Sequence, residues 1–525
     1  MDESQTAEPN FSPTSMPANP SPGPPVDVVV LGAGIGGLGT ALALGRQGHA
    51  VTLIERDDTP PPADAASAFA WDRRGAPQVR HSHAFLARLR NLLRDRWPDV
   101  LDELLAEGAT ELRFTDTLPD AMEDRTPRPG DDDLVALACR RTTFEWVLRR
   151  IVTAEPHVDL VVGVGVEGLE VEPAAEGPPT VTGLRLDDGS VARAPVVVVA
   201  GGRRSALTEW LAEAGVELQE EEEDTGIVYL SRFFRLLPGA EVPEAAGPVA
   251  VDLGYLKLGL FQGDDRTFSL TLAVASSDTE LRKRLLTPDA FMVAAASAPT
   301  VAPWIEPDRA EPITEVHVMG GLVNRRRRFL HEDGQPKVLG LVAVGDAHTC
   351  TNPLYGRGAS LAMVQAALLA DALREHPDDP TARAMAYEAS CAREVLPWYR
   401  ASVAQDRENR ELTEVAAAVL QTEAAGEAAV GADGTTAGGG DDGTVDPKAF
   451  LRSLMREGLF PAVRTDPVVF RAFLRGFNLL DPPATIIKDP DVTARVMAVW
   501  QRRDEIPPEP PGGVERSELL GMLDA

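Results

Sequence analysis

The sequence predicts an α/β fold (α+β overall), in which a second sheet is inserted into a nucleotide-binding domain, and three observations carry that prediction. An apolar strand, a glycine-rich turn, an alanine-rich helix and a second strand follow one another over residues 26–55. A continuous valine run at 195–200 is typical of a strand buried on both faces of a parallel sheet. Between that run and another apolar strand at 338–344, residues 226–323 are mostly strand-like, which indicates an inserted mixed β-sheet domain.

The glycines of the first turn, Gly32-Ala-Gly34-Ile-Gly36-Gly37, have separate tasks in a Rossmann-like βαβ unit. Gly32 lets the chain turn tightly, Gly34 lets the backbone approach a pyrophosphate, and Gly37 brings the helix close to the strand. The helix N-terminus then presents its partial positive charge to the phosphates. We therefore expect Gly32, Gly34, Gly36 and Gly37 to lie at a dinucleotide site.

The second strand of the unit ends on Glu55, which Arg56 follows. An acid about 20 residues beyond the glycine turn accepts hydrogen bonds from a ribose 2′-OH and would repel a 2′-phosphate. We expect both residues to lie at the cofactor site.

Helical spacing of apolar residues recurs after the βαβ unit. Within residues 88–105, Pro98 is expected to start a second helix after the first one ends. The remaining predicted helices cover residues 142–153, 207–214, 288–298, 358–373 and 381–410.

A second glycine pattern, Gly163-Val-Gly165-Val-Glu-Gly168, also has the spacing of a dinucleotide fingerprint. Apolar and polar residues alternate after it, which is typical of strands, so we expect a β-meander at about 158–190. A dinucleotide site would need a helix at this point. This pattern excludes a second dinucleotide site and a dedicated NAD(P) domain.

The composition excludes several classes of partner. Among 525 residues 51 are basic and 81 are acidic, and the formal net charge of −30 repels nucleic acid and anionic membrane surfaces. No run of 18 or more apolar residues predicts a membrane span. Three scattered cysteines without CxxC spacing predict neither a disulfide framework nor a metal site, and we expect a cytoplasmic protein.

The basic run Arg325–Arg328 is expected to form local ion pairs.

These patterns divide the chain into five parts. The first 25 residues lack the basic and apolar regions of a signal peptide, and residues 421–445 carry almost no large apolar side chains. The predicted parts are a disordered tail at 1–25, a first cofactor-domain segment at 26–215, a substrate-binding β-sheet domain at 216–337, a second cofactor-domain segment at 338–410, and a C-terminal helical region at 411–525 with a disordered linker at 421–445.

A second motif, Gly345-Asp346, follows the strand at 338–344, about 310 residues after the first motif. The two motifs together resemble those of the flavoprotein monooxygenases built on the p-hydroxybenzoate hydroxylase fold, in the epoxidase-like branch. The resemblance covers residues 26–410. It implies that the nucleotide-binding domain is an FAD-binding domain, with Gly345 and Asp346 at the cofactor.

In that family the aspartate of the second motif, here Asp346, holds the flavin ribityl chain. A Pro-x-x-Gly-x-Gly turn, matched by Pro353, Gly356 and Gly358, aims a helix N-terminus at the flavin N1–C2=O edge. The positive end of a helix dipole stabilises the negative charge that reduced flavin carries near N1. The resemblance therefore adds these residues to the cofactor site.

Two further segments match the family. Arg141 opens an R-x-x-F-E-x-x-L pattern whose arginine reaches the pyrophosphate or ribityl region, with Arg140 as the alternative match. His81 and His83 lie in a P-Q-x-x-H-x-H segment that the resemblance places near the isoalloxazine. The two histidines have no third ligand nearby in the sequence, so no metal site is predicted.

One motif departs from the family's aromatic hydroxylases. These enzymes carry an Asp-Gly pair after the valine-rich strand, whereas Gly201 occupies the aspartate position here. The sequence A-x-G-R-x-S resembles the version found in epoxidases and flavin halogenases. The resemblance implies NAD(P)H as the electron donor, and the altered motif leaves two routes open, direct use or a separate flavin reductase.

The resemblance implies an FAD-dependent monooxygenase of secondary metabolism that inserts one oxygen atom from O₂ into an organic small molecule. The reaction would be a hydroxylation or an epoxidation, through a flavin C4a-hydroperoxide. No catalytic acid or base is identified. Two alternatives stay open: an FAD-dependent reductase or dehydrogenase acting on a C=C bond, and a non-catalytic binding scaffold. Alternation does not fix which face of the inserted sheet meets the substrate, and the candidates are Tyr229, Arg232, Phe233, Phe261, Phe268 and Met319.

Overall fold

A computed structural model describes residues 26–243, 250–424, 447–506 and 512–524. The predicted tail at 1–25 lies outside these residues, as does the part of the predicted linker at 425–445. The strands are β1 (Val28–Leu31), β2 (Val51–Glu55), β3 (Thr110–Arg113), β4 (Val135–Ala138), β5 (Val158–Val162), β6 (Val166–Glu172), β7 (Thr180–Leu186), β8 (Val191–Arg193), β9 (Val196–Val199), β10 (Gln219–Asp224), β11 (Ile227–Leu236), β12 (Ala250–Asp252), β13 (Leu256–Gln262), β14 (Thr267–Ala275), β15 (Ala310–Pro312), β16 (His317–Met319), β17 (Val323–Arg328), β18 (Leu341–Ala343) and β19 (Thr349–Cys350).

The helices alternate with the strands up to residue 375 and then follow one another to the C-terminus. They are α1 (Ile35–Gly45), α2 (Ala87–Arg96), α3 (Pro98–Ala106), α4 (Arg141–Ala154), α5 (Leu207–Glu213), α6 (Thr279–Arg284), α7 (Pro288–Ala296), α8 (Gly358–Glu375), α9 (Pro380–Glu394), α10 (Leu396–Ala424), α11 (Pro447–Ser453), α12 (Phe460–Thr465), α13 (Pro467–Phe477), α14 (Thr485–Lys488), α15 (Pro490–Gln501) and α16 (Arg516–Asp524).

A five-stranded parallel sheet, in the order β18-β9-β1-β2-β5, forms the centre of the nucleotide-binding part. Alternate valines of β1 and β9 point to opposite faces. Val30 and Val198 join the core with α1, α4 and α8, whereas Val29 and Val197 join the core with β7 and α5. Both faces are covered, which explains the continuous valine runs of these strands.

The glycine turn is packed too tightly for any side chain at two positions. Gly32 has a φ of +97°, and a Cβ there would lie 2.7 Å from the carbonyl oxygen of Ala200. A Cβ on Gly37 would lie 1.7 Å from the carbonyl oxygen of Gly32. These contacts bring α1 close against the end of β1, as the fingerprint predicts.

The inserted sheet has the order β12-β13-β14-β11-β15, and β16 also pairs with β11. One face of β11 and β14 is apolar, and Leu230 and Leu272 pack there in a core with Phe291 of α7 and with Trp304. The opposite face carries cross-strand pairs that include Ser231 and Thr271. Because one face is buried against α7, the register of the sheet is fixed.

Several predicted boundaries differ from the observed ones. The strand Val158–Val162 pairs with β2 in the parallel sheet, so the antiparallel meander is β6-β7-β8 and begins at Val166. The helical prediction for 381–410 resolves into α9 and α10. Residues 421–424, predicted as linker, continue α10.

The run Arg325–Arg328 lies on β17 and pairs antiparallel with the acidic strand β10, which the sequence did not predict. Arg325 and Glu222 form one ion pair at 2.5 Å, and Arg327 and Glu220 form another at 2.7 Å. The prediction that this basic run forms local ion pairs is confirmed.

The C-terminal helices pack on both other parts of the chain. Phe470 and Leu474 of α13 contact Leu118 and Met122. Leu519 of α16 is fully buried in the core of the inserted sheet. The C-terminal region therefore bridges the nucleotide-binding part and the inserted sheet. Among the helices that the structure describes, none combines the length and apolar character needed to cross a bilayer.

A buried ion pair joins the inserted sheet to α4. The carboxylate of Asp264, in the turn between β13 and β14, accepts hydrogen bonds from the Arg140 backbone N–H at 2.7 Å and from its Nη2 at 2.5 Å. The hydroxyl of Thr143 donates a further bond at 2.7 Å. Arg140 therefore serves to fix the sheet, whereas its neighbour Arg141 points elsewhere.

We predict that Asp264→Asn destabilises the protein strongly, because it leaves the buried Arg140 charge uncompensated. A loss of about 3–5 kcal/mol in the free energy of unfolding is expected. The neighbouring Asp265→Asn is the control, since Asp265 pairs with Arg235 at a surface where both side chains are about two-fifths exposed, and a change of at most about 1 kcal/mol is expected there. Urea unfolding measures both, and equal losses would contradict this account.

Candidate functional site

A cavity of about 4930 Å³ lies between the parallel sheet, the inserted sheet and the C-terminal helices. It brings together almost all of the residues predicted from the two distant motifs. Those that line it are Gly32, Gly34, Gly36, Glu55, Arg56, Arg141, Gly345, Asp346, Pro353, Gly356 and Gly358. Gly37 does not line the cavity, because it faces the backbone of Gly32.

Gly34 differs from Gly32 and Gly37 because it faces open space. It has an ordinary φ of −82° at the N-cap of α1, and a Cβ there would meet nothing within 4 Å. The absent side chain thus leaves the N-terminus of α1 open to the cavity. This geometry suits a pyrophosphate held by the helix N-terminus.

Glu55 closes the turn from the other side. Its Oε2 accepts a hydrogen bond from the Ala33 backbone N–H at 2.8 Å, and its Oε1 accepts one from Asp57 N–H at 2.9 Å. The carboxylate lies at the cavity wall, with lone pairs left for further donors. It therefore stabilises the glycine turn and keeps hydrogen-bond acceptors at the cavity wall.

Arg73, which the sequence analysis missed, is buried behind the turn. It pairs with Glu145 at 3.1 Å and with Asp57 at 3.3 Å, and its Nη2 donates to the Ala33 carbonyl oxygen at 3.0 Å. Burial alone would lower the pKa of Arg73, but the carboxylates of Glu145 and Glu55 raise it above its usual value. No periodicity or motif spacing distinguishes Arg73 from the exposed Arg74 beside it.

Arg141, the first residue of α4, points into the cavity, with its direction set by two partners. Its Nε and Nη2 donate to Oε1 of Glu145 at 2.8 and 2.6 Å, and its Nη1 lies 3.0 Å from Nε2 of His83. Nδ1 of His83 lies 3.0 Å from the His81 carbonyl oxygen, so Nδ1 carries the hydrogen and Nε2 accepts from Arg141. Burial and the nearby Arg141 cation hold the pKa of His83 well below its usual value.

His81 connects this cluster to the inserted sheet. Its Nδ1 lies 3.0 Å from the Ser231 hydroxyl, which lies 2.8 Å from the Thr271 hydroxyl. The Thr271 hydroxyl in turn donates to Ser82 at 2.7 Å. Burial, aided by His317, lowers the pKa of His81 to about 4, so the ring is neutral at pH 7. These hydroxyl and imidazole groups form the polar part of the cavity roof.

Asp346 lies in a single turn of helix after β18, and the preceding Gly345 approaches the glycine turn, since a Cβ on Gly36 would lie 3.9 Å from the Gly345 Cα. Burial raises the pKa of its carboxyl, partly opposed by Arg141 and Arg203. The neighbouring Gly345 N–H donates to Oε1 of Gln365 at 2.8 Å, which fixes the turn against α8. Gly201, at the position of the missing aspartate, also lines the cavity.

The turn before α8 is held by a buried carboxylate that the sequence analysis also missed. Asp406 of α10 accepts hydrogen bonds from Asn324 at 2.6 Å, Tyr355 at 2.7 Å and Asn352 at 2.8 Å. Gly356 has a φ of +64°, and a Cβ there would lie 2.8 Å from that of Ala84. The N-terminus of α8 is thereby aimed at the cavity, where Gly358 lines the wall.

The structure separates the six candidate substrate-facing residues. Tyr229, Phe261 and Met319 line the cavity. Phe268 packs in the core on the opposite face of the sheet, and Arg232 donates to the Thr314 carbonyl oxygen at 2.9 Å. Phe233 packs edge-on against Phe69 at a centroid distance of 5.3 Å.

Within residues 26–243, 250–424, 447–506 and 512–524, no three His, Cys, Asp or Glu side chains are placed to hold one ion. Cys139, Cys350 and Cys391 are buried free thiols.

Comparison with known proteins agrees with this geometry. Residues 27–229 match the FAD dependent oxidoreductase family. Protein Rv3254 of Mycobacterium tuberculosis is 28% identical over 368 residues, which cover 66% of this chain and 72% of that protein. Aklavinone 12-hydroxylase DnrF of Streptomyces peucetius subsp. caesius is 31% identical over 204 residues, which cover 36% of this chain and 38% of the hydroxylase.

The fold is also similar to that of a solved structure. PqsL from Pseudomonas aeruginosa, described as a probable FAD-dependent monooxygenase, superposes with a TM-score of 0.52 and 20% identity, covering 73% of this chain and 94% of PqsL. Residues 27–229 are therefore similar to an FAD dependent oxidoreductase domain, and the chain shares the fold of PqsL.

Proposed function

We propose that this protein is an FAD-dependent monooxygenase that inserts one oxygen atom from O₂ into an organic small molecule, as a hydroxylase or an epoxidase. The observation that carries the proposal is the single cavity that joins the open glycine turn at Gly34 to Asp346 and the N-terminus of α8. A relative named as a hydroxylase supports oxygen insertion over the alternative of C=C reduction. The open turn argues against the alternative of a scaffold that has lost its cofactor.

The residues present fit FAD. The bare backbone at Gly34 and the start of α1 would hold the pyrophosphate, and Glu55 would accept hydrogen bonds from the adenosine ribose. Asp346 would hold the ribityl hydroxyls, and Arg141 lines the same cavity. Arg56 lines the same end of the cavity and adds positive charge near the phosphates. The predicted cofactor residues thus remain our assignment for FAD, with Gly36 in the wall and Gly37 acting through packing.

Bound FAD supplies the electron pair and the centre at which O₂ is activated. The chain's own task is to orient the substrate and exclude water. The inserted sheet roofs the cavity with Tyr229, Ser231 and Thr271. The N-terminus of α8 places the positive end of its dipole at the cavity, where it stabilises negative charge.

Neutral imidazoles and hydroxyls make the roof suitable for a polar group on the substrate. Ser231, Thr271 and Ser82 donate and accept hydrogen bonds without bringing charge into the cavity. His83 keeps the Arg141 guanidinium in place. We assign these residues to positioning, and no catalytic acid or base is assigned.

The electron source and the division of the chain are part of the proposal. We infer that NAD(P)H supplies the electrons. Because Gly201 replaces the family's aspartate, a separate flavin reductase is an alternative to direct use. Segments 26–215 and 338–410 would build the FAD-binding part around the substrate-binding segment 216–337, with 411–525 as the helical region. The buried free thiols support a reducing, cytoplasmic setting.

Substitutions at two glycines of the turn separate cofactor binding from packing. Gly34→Ala is expected to change the free energy of unfolding of the apoprotein by no more than about 1 kcal/mol, because its Cβ meets open space. It should nevertheless weaken FAD binding tenfold or more, because the methyl group occupies the phosphate position. Gly37→Ala should destabilise the fold itself by about 1–3 kcal/mol or more. Urea unfolding and flavin titration measure the two effects. An unchanged FAD affinity of Gly34→Ala would show that the backbone at Gly34 does not hold the pyrophosphate.

The raised pKa of Asp346 predicts a conflict between stability and function at this residue. Below about pH 3.9, the ordinary aspartate value, the carboxyl is protonated in both states and costs nothing. As pH rises from there to the raised pKa of the folded state, the free energy of unfolding falls, because the unfolded state ionises first. Asp346→Asn should therefore stabilise the apoprotein more at pH 7 than at about pH 4, while weakening FAD binding about tenfold.

Urea unfolding at the two pH values and flavin titration test this prediction. The control is Asp333→Asn in an exposed turn, which should change neither quantity. An Asp346→Asn protein with unchanged FAD affinity would show that this carboxylate does not contact the cofactor.

Oxygen insertion has a direct isotopic test. With FAD, a reductant and a converted substrate, ¹⁸O from ¹⁸O₂ should enter the product as one hydroxyl or epoxide oxygen. Without substrate or a reductase, NADPH oxidation should be slow, whereas chemically reduced enzyme should still consume O₂. Conversion of the substrate under argon, with no label taken up in ¹⁸O₂, would instead establish the reductase alternative.

A further inference from the structure

The first turn of α2 is capped by a residue from the far end of the chain. α2 begins at Ala87, and the side chain of the preceding Leu86 accepts no hydrogen bond from the helix. The Ala87 backbone N–H donates instead to Oδ1 of Asn478 at 3.0 Å, and the Arg88 N–H donates to the Asn478 carbonyl oxygen at 3.2 Å. These are two of the N–H groups that an α-helix cannot satisfy within itself. Asn478, at the end of α13, therefore completes the start of α2.

The end of α13 is anchored on the nucleotide-binding part. Asn478 is fully buried, and its Nδ2 donates to the Leu474 carbonyl oxygen at 3.1 Å. The next residue, Leu479, has a φ of +61°, in the left-handed region where a glycine usually ends a helix. Leu479 is nevertheless buried in the core that contains Phe85 and Leu86. The burial of its side chain compensates for the backbone strain and holds Asn478 against α2.

Residues 83–86, which lead into α2, contact two elements of the proposed FAD site. Nε2 of His83 accepts a hydrogen bond from Arg141 at 3.0 Å. A Cβ on Gly356 would lie 2.8 Å from that of Ala84, so the segment also touches the turn before α8. A shift at the start of α2 would therefore move both Arg141 and the turn before α8.

We propose that Asn478 couples the packing of the C-terminal helices to FAD binding. Asn478 fixes the start of α2, which fixes residues 83–86, and these hold Arg141 and the turn before α8. Asn478 does not line the cavity, so it is a positioning residue that acts through α2. Because coupling between two sites is reciprocal, bound FAD also stabilises the packing of α13 on α2. This inference rests on the FAD site of the proposed function, and it does not depend on oxygen insertion.

Two substitutions in the full-length protein break this contact from opposite sides. Asn478→Ala removes the side-chain acceptor on α13. Ala87→Pro removes the N–H on α2, at a first helical position where proline is favoured. Leu86 already has the extended backbone that precedes a proline, with φ −64° and ψ 161°. Each substitution should weaken FAD binding at least about fivefold, the lower end of usual couplings between sites. Fluorescence titration measures the affinity, and wild-type affinity in either folded variant would overturn the proposal.

The matched control is Asp489→Ala, which removes a helix cap elsewhere in the C-terminal region. Asp489 accepts hydrogen bonds from the N–H groups of Asp491 and Val492 at 2.9 and 3.2 Å, at the start of α15. The control variant should change FAD affinity less than about twofold, because this cap holds no part of α2. A fall as large as that of Asn478→Ala would overturn the proposal, since any weakening of the C-terminal helices would then lower the affinity.

Hydrogen exchange distinguishes this coupling from a merely structural role. Saturating FAD should slow amide exchange in residues 467–477 at least about fivefold more in wild-type protein than in Asn478→Ala. Equal slowing in the two proteins would overturn the proposal.

A double variant tests whether the two substitutions act on one contact. Asn478→Ala/Ala87→Pro should bind FAD no more weakly than the weaker single variant, because each change already breaks the same contact. Losses that add in the double variant would contradict the proposal. Wild-type protein that binds no FAD would instead contradict the proposed function, and the coupling with it.

Discussion

The cavity depends on a buried cation, Arg73, that ties three separate segments together. Its guanidinium contacts the carboxylates of Asp57 and Glu145 and the carbonyl oxygen of Ala33 in the glycine turn. Removing one partner of a buried pair costs about 3–5 kcal/mol, because the remaining charge is left without compensation. Glu145 in turn fixes Arg141. The glycine turn, the end of β2 and the first turn of α4 are therefore held in one arrangement around the proposed FAD site.

The roof is attached to this arrangement at two points of different character. The buried Arg140–Asp264 pair fixes the β13–β14 turn to α4. His81 and Ser231 form a neutral contact nearer the cavity. The charged contact lies outside the cavity and the neutral one lines it, so the attachment at His81 brings polar groups to the cavity without a charge. Such a lining suits chemistry that must exclude water yet orient an organic substrate.

Much of the cofactor end could be predicted from the sequence, because a glycine turn needs particular residues at fixed spacing. Gly34 and Asp346 indeed meet in one cavity although they lie far apart in the chain. The acidic strand β10 escaped prediction because its pairing with the arginines of β17 stabilises it, and no local apolar pattern marks it. Arg73 and Asp406 could not be found either, since their roles arise from partners brought together by folding. The alternation of apolar and polar residues predicted the strands that carry Phe261 and Phe268, but it did not show which face of the sheet meets the cavity.

A crystal structure of the FAD-loaded protein should show the pyrophosphate against the backbone at Gly34, the ribose at Glu55, the ribityl chain at Asp346 and the flavin ring between the N-terminus of α8 and the inserted sheet. Electron density for flavin elsewhere, or for a nicotinamide dinucleotide in the glycine turn with no flavin present, would contradict it.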